Sequence, residues 1–353
     1  MKLKRSIFLA TVFLLCFDIM SFSIAQGSDI DLNPLFKIAG MTKQGYSLGY
    51  IDKTGKVIIP LKFREANDFS EELAVVMTHD NTKYGYIDKT GRMAIKQQFN
   101  NGAMAFSEGL AAVGINGKWG YIDKSGKFAI ALQYQSAQSF HDGLAVVNID
   151  GKYKYIDKTG KVAIETNGSA DFSDGMANVG STYKCGYIDV TGKINISLKY
   201  SECQQFSEGL ASVTINTPKI SAKGFIDKKG NVVIEPKFSS TVPFSEGLSL
   251  VKYYENLQTK EGYVDKTGNT VIKLPPVSQA VSFSEGLAPI LIKDKGWGYI
   301  DKTGGFVIQP QYVHAERFKN GLARVSTGNL KDSAMDRDAY IDKTGKEVWS
   351  TMF

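Results

Sequence analysis

Apolar residues alternate with small or polar residues in many short stretches of the chain, and turn residues separate these stretches. In one example, Ala111, Val113 and Ile115 alternate with smaller residues and lead into the pair Asn116-Gly117. A period of two is typical of a β-strand, and Asn-Gly between two such runs is the strongest short-range signal for a hairpin. The pattern therefore predicts a β-hairpin, and no helical period of useful length follows the N-terminal segment.

This hairpin is one copy of a repeat that continues along nearly the whole chain. A first marker, Tyr/Phe-Ile/Val-Asp-x-x-Gly, occurs nine times at spacings of 32 to 41 residues. A second marker, Phe-Ser-Glu-Gly-Leu-Ala or a near variant, alternates with it and occurs eight times. The aspartates of the first marker are Asp52, Asp88, Asp123, Asp157, Asp189, Asp227, Asp265, Asp301 and Asp342, and the second marker begins at Phe69, Phe106, Phe140, Phe172, Phe206, Phe244, Phe283 and Phe318.

The first marker reads as a tight turn between two strands. Its Asp carboxylate can accept main-chain N–H bonds, and its Gly can adopt the positive φ that closes such a turn. A short apolar run follows, with Val57 and Ile59 in the first copy. Each repeat is therefore predicted to contain short strands joined by tight turns. The fold class follows as all-β, with tandem antiparallel repeats of about 35 residues.

The arrangement of the repeats is predicted as an open, twisted, solenoid-like array. Nine first-marker hairpins bracket eight second-marker segments, which leaves a surplus part-repeat at the C-terminus. The alternative is an eight-bladed β-propeller-like ring, because the repeat length is close to blade size. We predict a signal peptide at 1–25, an N-terminal lead-in at 26–45, a repeat domain at 46–349 with about eight repeats and a C-terminal part-repeat, and a tail at 350–353.

The two markers together resemble the bacterial WG repeat over roughly residues 46–349. The Trp-Gly pair itself survives only as Trp119-Gly120 and Trp297-Gly298, which indicates that the Trp is a packing residue here. The resemblance implies an all-β tandem-repeat protein of bacterial type, often exported, with a binding or scaffolding role. It supplies no catalytic residues to carry over.

The N-terminus has the features of a secretory signal. Lys2, Lys4 and Arg5 precede an apolar run at 7–17, and small residues end at Ala25, where we predict cleavage. The run is too short for a membrane span, and no later stretch approaches the roughly 20 apolar residues that one needs. The predicted location is therefore periplasmic or extracellular.

Charge and cysteine content narrow the choice of partner only slightly. Cleavage after Ala25 lowers the formal net charge from +6 to +4, because three basic residues and one acidic residue are lost. A charge this small, spread over many repeats, does not argue for a nucleic acid partner. Cys185 and Cys203 remain, and both a disulfide and two buried thiols fit their positions.

Catalytic chemistry is largely missing from the sequence. His79, His141 and His314 lie in different repeats, and no phosphate-loop, zinc-protease or zinc-ligand spacing occurs. Carboxylates recur once per repeat in the second marker, so they lack the differing environments that an acid–base pair needs. We therefore predict no enzyme activity, no cofactor and no metal site, and a structural role for Glu71, Glu108, Asp142, Asp174, Glu208, Glu246 and Glu285.

A lysine follows the turn aspartate in most repeats, and two roles are open for this row. The lysines are either neutralised by the neighbouring aspartates or bind an anionic surface polymer. Exposed Tyr and Trp side chains could in addition stack on sugars. The row consists of Lys53, Lys89, Lys124, Lys158, Lys228, Lys266, Lys302 and Lys343.

The predicted function is an exported, non-enzymatic scaffold that binds a protein or a cell-envelope glycan through one rim of the array. The alternative is a secreted carbohydrate-active enzyme on a β-propeller-like scaffold. The spacing between the second marker's Leu or Met and the next Tyr or Phe is 11 residues in three consecutive repeats but 15, 15 and 18 in three others. Insertions at one topological position project from one rim, and loops often carry function. The candidate contact segments are 216–222, 254–261 and 327–338, and the candidate residues are Asn216, Lys219, Tyr254, Asn256, Lys260, Asn329, Lys331 and Asp336.

Overall fold

The computed structural model describes residues 33–351 except 167, 169, 182, 217–220, 277–278 and 330–331. The predicted signal peptide at 1–25 and the first part of the lead-in lie outside the described residues. Strands and turns account for the described chain, which contains no helix, and accordingly no helix there could cross a membrane. The all-β class is confirmed.

The strands follow one another in sequence order and pair with their neighbours in the chain. They are β1 Phe36–Thr42, β2 Gly45–Ile51, β3 Val57–Ala66, β4 Ala74–Thr78, β5 Tyr84–Ile87, β6 Met93–Phe99, β7 Leu110–Ile115, β8 Lys118–Asp123, β9 Phe128–Tyr134, β10 Ser136–Ala137, β11 Ala145–Ile149, β12 Lys152–Ile156, β13 Val162–Glu165, β14 Met176–Ser181, β15 Lys184–Asp189, β16 Ile194–Tyr200, β17 Leu210–Asn216, β18 Ser221–Asp227, β19 Val232–Thr241, β20 Leu248–Glu255, β21 Gln258–Asp265, β22 Thr270–Lys273, β23 Gln279–Ala280, β24 Ala288–Ile292, β25 Gly296–Ile300, β26 Phe306–Tyr312, β27 His314–Ala315, β28 Leu322–Asn329, β29 Asp332–Asp342 and β30 Glu347–Ser350.

Within the described residues these strands form seven antiparallel sheets: β1–β6, β7–β9, β10–β13, β14–β16, β17–β22, β23–β26 and β27–β30. We call a hairpin with the strand that follows it a unit. Two sheets have six strands, because the 10-residue strands β3 and β19 each pair with the hairpin before and the hairpin after them. Each six-stranded sheet thus holds two units, and the described chain contains nine units, numbered 1 to 9 in chain order.

Hydrophobic cores lie between consecutive units. Between units 3 and 4, for example, Tyr121 and Tyr134 pack with Phe140 and Val147. The Tyr121 hydroxyl crosses the same interface and donates to the main-chain oxygen of Gln138 at 2.8 Å. Burial raises the pKa of such hydroxyls, to about 12 at Tyr155. Because each core needs side chains from two units, an isolated unit lacks the apolar burial that offsets its ordering entropy.

The last unit packs against the first and closes the ring. Tyr340 of unit 9 packs on Phe36 of unit 1 with ring centroids 5.5 Å apart, and its hydroxyl donates to the main-chain oxygen of Lys37 at 2.8 Å. Lys319 of unit 9 also pairs with Asp68, which precedes unit 2, at 3.0 Å. Among the described strands none of units 1 and 9 pair with each other, so side-chain packing closes the ring.

The open array predicted from the sequence is therefore wrong, and the closed β-propeller given as its alternative is confirmed. The predicted count of eight blades does not hold, because the described ring has seven sheets with two of them double. The C-terminal hairpin β28–β29 and the strand β30 form a complete unit. Strand β1, which lies in the predicted lead-in, completes unit 1 beside it.

Candidate functional site

The ring has two faces of different construction. In unit 3, Leu110 at the start of β7 pairs with Asp123 at the end of β8, so both marker segments lie at one end of the hairpin. The hairpin turn at 115–118 lies at the other end. Contacts between marker segments of successive units place all of them on the same side of the ring. We call this side the turn face and the opposite side the tip face.

On the turn face, each first-marker aspartate holds its own turn together. The Oδ1 atom of Asp123 accepts bonds from the Ser125 hydroxyl at 2.6 Å and from the main-chain N–H groups of Ser125 and Lys127 at 2.9 and 3.1 Å. The hydroxyl bond in particular lowers the pKa of Asp123. Gly126 has φ +83°, as predicted. Corresponding bonds occur at Asp52, Asp88, Asp157, Asp189, Asp227, Asp265, Asp301 and Asp342.

The second-marker acids link one unit to the next. The Glu108 carboxylate accepts the main-chain N–H of Gly143, with 3.1 Å for the shorter of two contacts. The structural role predicted for these acids is confirmed, although each binds the following unit rather than its own turn. The same link recurs from Glu71 to Gly109, Asp142 to Gly175, Asp174 to Gly209, Glu208 to Gly247, Glu246 to Gly286 and Glu285 to Gly321.

Most lysines of the predicted row are neutralised by these same acids. Lys158 lies 3.0 Å from Glu108 of the preceding unit, and the turn aspartate beside it is not its partner. The corresponding pairs are Lys124 with Glu71, Lys266 with Glu208, Lys302 with Glu246 and Lys343 with Glu285, and Lys89 pairs with Glu72. Of the two roles open for the lysine row, neutralisation is thus favoured. The neutralising groups are the second-marker acids and not the predicted turn aspartates.

The Trp position of the repeat packs across the unit interface, as the sequence indicated. Trp297 lies in the core shared by units 8 and 9, which includes Ala315. In unit 5 the same position holds Cys185, which forms a disulfide with Cys203 ahead of unit 6. In unit 5 the disulfide therefore takes the place of the contact between Trp and Ala. Of the two predicted alternatives, a disulfide and two buried thiols, the structure has the disulfide.

On the tip face, four hairpins rise above the others. Strands β20 and β21 have eight residues each, whereas β7 and β8 have six. At about 3.4 Å per residue the longer hairpin rises about 7 Å further. In the described residues, the predicted long loops at 254–261 and 327–338 are thus largely strands. We call β1–β2, β17–β18, β20–β21 and β28–β29 the raised hairpins.

The tip of β20–β21 carries exposed apolar side chains. Its turn residues Asn256 and Leu257 have φ of +51° and +61°. Leu257 is fully exposed at 101%, and Tyr254 is 71% exposed. Units 3 and 4 place Gly117 and Gly151 at the position of Leu257. Because a Cβ in this conformation costs roughly 1–2 kcal/mol, Leu257 stands where the fold alone favours glycine.

A second raised hairpin lies at the start of the chain, where the sequence reasoning expected only a lead-in. Met41 and Tyr46 near the tip of β1–β2 are 77% and 58% exposed. The spacing of 15 residues from Leu35 to Tyr50 matches the long repeats, but no second marker identifies Leu35 as the start of a repeat. It belongs to unit 1 and therefore lies beside the raised hairpin of unit 9 in the closed ring.

The other predicted site residues also fall on the raised hairpins where they are described. Asn216 ends β17, where its Oδ1 atom accepts a bond from the Ser221 hydroxyl at 2.6 Å. Lys260 donates to Gln258 at 2.8 Å. Asn329 and Asp336 lie on β28 and β29. Lys219 and Lys331 lie outside the described residues. Units 6 and 7 are neighbours, and unit 8 separates them from unit 9.

Three raised hairpins have a charged residue at the Trp position, and each is paired. Lys223 binds Glu202, Glu261 lies 3.8 Å from Lys252, and Asp338 lies 2.6 Å from Arg324. Burial raises the pKa of Glu261. Beside Glu261, Lys260 and Leu274 line a cleft of about 160 Å³. A larger cleft of about 430 Å³ adjoins the disulfide. The three ion pairs at the Trp position stabilise the lower part of each of these raised hairpins.

The histidines have separate structural contacts. His79 lies 2.9 Å from the hydroxyl of Ser47. Because Ser47 is fully buried, its hydroxyl is not accessible to a substrate. His141 is 4.0 Å from Asp171, and the ring of His314 packs against Trp297 at 6.2 Å. No group of three or more His, Cys, Asp or Glu side chains in the described residues is arranged to hold a metal ion.

The model of one repeat family matches most of the chain. The family is described as "WG containing repeat", and its model matches residues 49–81, 84–119, 119–153, 186–216, 224–256, 262–295 and 297–330. The seven matched segments begin at the first markers of units 1, 2, 3, 5, 6, 7 and 8, and none begins at the first marker of unit 4 or unit 9. No curated protein matches the chain.

Several solved structures are similar in fold at low sequence identity. The computationally designed protein Ika8 is 16% identical, over 81% of this chain and 95% of that chain, with a TM-score of 0.46. BamB from Moraxella catarrhalis is 9% identical, over 83% and 97%, with a TM-score of 0.44. AztD from Citrobacter koseri is 13% identical, over 90% and 95%, with a TM-score of 0.41.

Proposed function

Because the chain belongs to the WG containing repeat family, whose repeat here builds a closed ring, we propose that it is an exported, non-enzymatic scaffold that binds a protein partner through its raised hairpins. The observation that carries this proposal is Leu257, a fully exposed apolar residue in a left-handed turn conformation. Such a residue costs folding free energy and gains no packing within the ring. Contact with a partner supplies a reason for its presence.

The chemistry of the raised hairpins favours a protein over a glycan at this place. Tyr254, Leu257, Met41 and Tyr46 offer apolar and aromatic area, which protein interfaces use for their energetic centres. A leucine side chain offers no hydrogen bond to a sugar hydroxyl. The non-enzymatic part of the proposal is supported by the second-marker acids, whose carboxylates are already bound to main-chain N–H groups.

Export is supported by the disulfide as well as by the N-terminal sequence. Disulfides form and persist in oxidising compartments, and Cys185–Cys203 is one. Trapping free thiols with an alkylating reagent at the moment of cell lysis tests this. We expect the two cysteines of protein isolated from its native compartment to resist alkylation until a reductant is added. Full alkylation without reductant would contradict export to an oxidising compartment.

The partner proposal is tested by capture from cell-envelope material with the mature protein. The variant combining Leu257→Gly with Tyr254→Ala removes the apolar tip and keeps a turn residue that suits φ +61°. We expect this variant to lose the captured protein while its melting temperature stays at or above that of the wild type. A matched control, Thr82→Ala, alters the exposed tip of unit 2 and should leave capture unchanged. Undiminished capture by the Leu257 variant would place the partner elsewhere.

A further inference from the structure

We propose that the tip face carries a second binding site, for an anionic glycan, on the four consecutive low hairpins of units 2 to 5. We call this stretch the low arc and define it by the hairpin turns at 79–83, 115–118 and 149–152 and, in unit 5, by Ser181, Tyr183 and Lys184. Its two ends border the raised hairpins of units 1 and 6, and the raised hairpins of units 7 and 9 lie further round the ring. The proposal does not depend on the protein partner proposed above.

A lysine adjoins an aromatic residue in every hairpin of the low arc. The pairs are Lys83 with Tyr84, Lys118 with Trp119, Lys152 with Tyr153, and Lys184 with Tyr183. All four lysines are exposed, and within the described residues none of them forms an ion pair. This contrasts with the turn face, where most of the row lysines are bound to glutamates.

The aromatic residues of the low arc are available to a ligand to different degrees. Tyr183 is 81% exposed and Tyr153 is 42% exposed. Tyr183 has φ +75°, so it stands, like Leu257, in a turn conformation that favours glycine. Tyr84 and Trp119 are half-buried. In the three raised hairpins of units 6, 7 and 9 the Trp position is charged and paired instead.

Amide side chains border the same hairpins. The Asn100 side chain exchanges hydrogen bonds with Asn116 at 2.8 and 2.9 Å. Gln135 accepts the main-chain N–H of Asp150 at 3.0 Å, and Gln97 donates to the main-chain oxygen of Lys83 at 2.9 Å. Aromatic faces for stacking, amides for hydroxyl groups and one ammonium per unit are together the chemistry that recognises an acidic sugar polymer.

The spacing and charge of the low arc favour a glycan over a nucleic acid. Packed sheets lie about 10 Å apart, so the ammonium groups recur at about that distance, which suits every carboxylate of a polymer with one uronate per disaccharide and every second carboxylate of an all-uronate polymer. A single-stranded polynucleotide is bound in a positively charged groove that follows its backbone, whereas the low arc carries one exposed lysine per unit. Asp80 and Asp150 lie in the same turns and lower the net positive charge of the low arc further.

The test measures binding of the full mature chain to polygalacturonate, alginate and hyaluronate by isothermal titration calorimetry at several salt concentrations. We expect the wild type to bind at least one of these uronate polymers, with an affinity that falls as salt rises. Highly methyl-esterified pectin, the neutral counterpart of polygalacturonate, should bind at least about tenfold more weakly. A wild-type protein that binds none of the three polymers would overturn the proposal.

Two pairs of variants separate this site from general charge attraction. Lys152→Gln with Lys184→Gln and, separately, Tyr153→Ala with Tyr183→Ala should each lower uronate affinity about tenfold or more. The control, Lys161→Gln with Lys193→Gln, makes the same charge change on the turn face and should stay within about twofold. Equal losses in the lysine variant and its control would overturn the site. Tighter binding of polyuridylate than of any uronate polymer would overturn the assignment to a glycan.

Uronate binding at the low arc should not depend on Leu257, which belongs to the proposed protein-binding site. Leu257→Gly should leave uronate affinity within about twofold, because Leu257 lies on a raised hairpin outside the low arc. A tenfold loss in that variant would contradict two separate sites. Melting temperatures of all variants by circular dichroism confirm that each ring is folded at the temperature of the binding measurement.

Discussion

The two faces of the ring use the same kinds of residue for different purposes. On the turn face, Asp123, Glu108 and Lys158 are bound to groups within the ring, and the pattern recurs from unit to unit. On the tip face, Leu257 and Lys184 have no such partner among the described residues, and hairpin length varies between units. Residues that recur in every unit and have internal partners therefore maintain the fold, and the irregular tip-face residues form the surface at which we propose binding.

Acid should lower the stability of the ring mainly through the turn face, because protonation weakens the same aspartate turn in all nine units. Hydrogen bonds hold the pKa of Asp123 and its eight counterparts below the value in the unfolded chain. Their stabilisation is present above pH about 4 and is lost as pH falls through the lowered pKa. The melting temperature should therefore drop steeply below pH about 4.

Asp123→Asn sharpens this test, because it keeps an acceptor oxygen but removes the charge. At pH 7 the variant should melt below the wild type, and the two curves should converge as pH falls. The measurement is thermal unfolding followed by circular dichroism between pH 7 and pH 2. A difference that stays constant over this range would show that the lowered pKa does not stabilise the turn.

Gly126→Val should cost about 3 kcal/mol of unfolding free energy. Positive φ contributes roughly 1–2 kcal/mol. A Cβ at Gly126 would in addition lie 3.0 Å from Cγ2 of Ile95 in the preceding unit, and overpacking of this kind costs about 1–3 kcal/mol. The tip-face control Gly117→Val has φ +77° but nothing within 4 Å of the added Cβ. Urea unfolding should therefore show the larger loss at Gly126, and equal losses would refute the packing difference.

Glu108→Ala should cost about 1–2 kcal/mol, because it removes the acceptor of the Gly143 N–H and the partner of Lys158. The control is Glu165→Ala, which breaks the exposed Lys154 pair and should change the unfolding free energy little. Urea unfolding of both variants measures the difference. A Glu108→Ala protein as stable as the wild type would show that the links between units on the turn face do not hold the ring.

Leu257→Gly has the smallest expected effect and the opposite sign. Relief of the left-handed conformation should raise the unfolding free energy by up to about 1 kcal/mol, less the entropy that a glycine loses on folding. Urea unfolding detects this change. A clear loss of stability would mean that Leu257 packs within the ring and is not kept for a partner.

Local features of the fold were predictable because they depend on residues close in sequence. The Asp-x-x-Gly turn, the positive φ of Gly126 and the Asn116-Gly117 hairpin each rest on a few adjacent residues. The partner of Lys158 was not predictable in the same way, because Glu108 reaches it from the preceding unit. A carboxylate that recurs once per repeat indicates a structural role without revealing which unit it contacts.

Ring closure depended on information that no single repeat contains. The contact between Tyr340 and Phe36 results from the angles between all successive sheets added together. The first strand, β1, also lacks the second marker ahead of it, so the repeat pattern did not extend to unit 1. Hairpin spacing did locate the raised hairpins of units 6, 7 and 9, but it could not show that they are strands or that Leu257 is strained.

Site-specific photo-crosslinking tests the difference between the faces most directly. A photoreactive amino acid replaces Tyr254 on the tip face in one protein and Lys161 on the turn face in another, and each is irradiated with cell-envelope material. Both side chains are exposed, so each position can report on a nearby partner. We expect one specific protein adduct from position 254 and none from position 161. The same adduct from position 161, or its absence from position 254, would contradict the assignment of binding to the tip face.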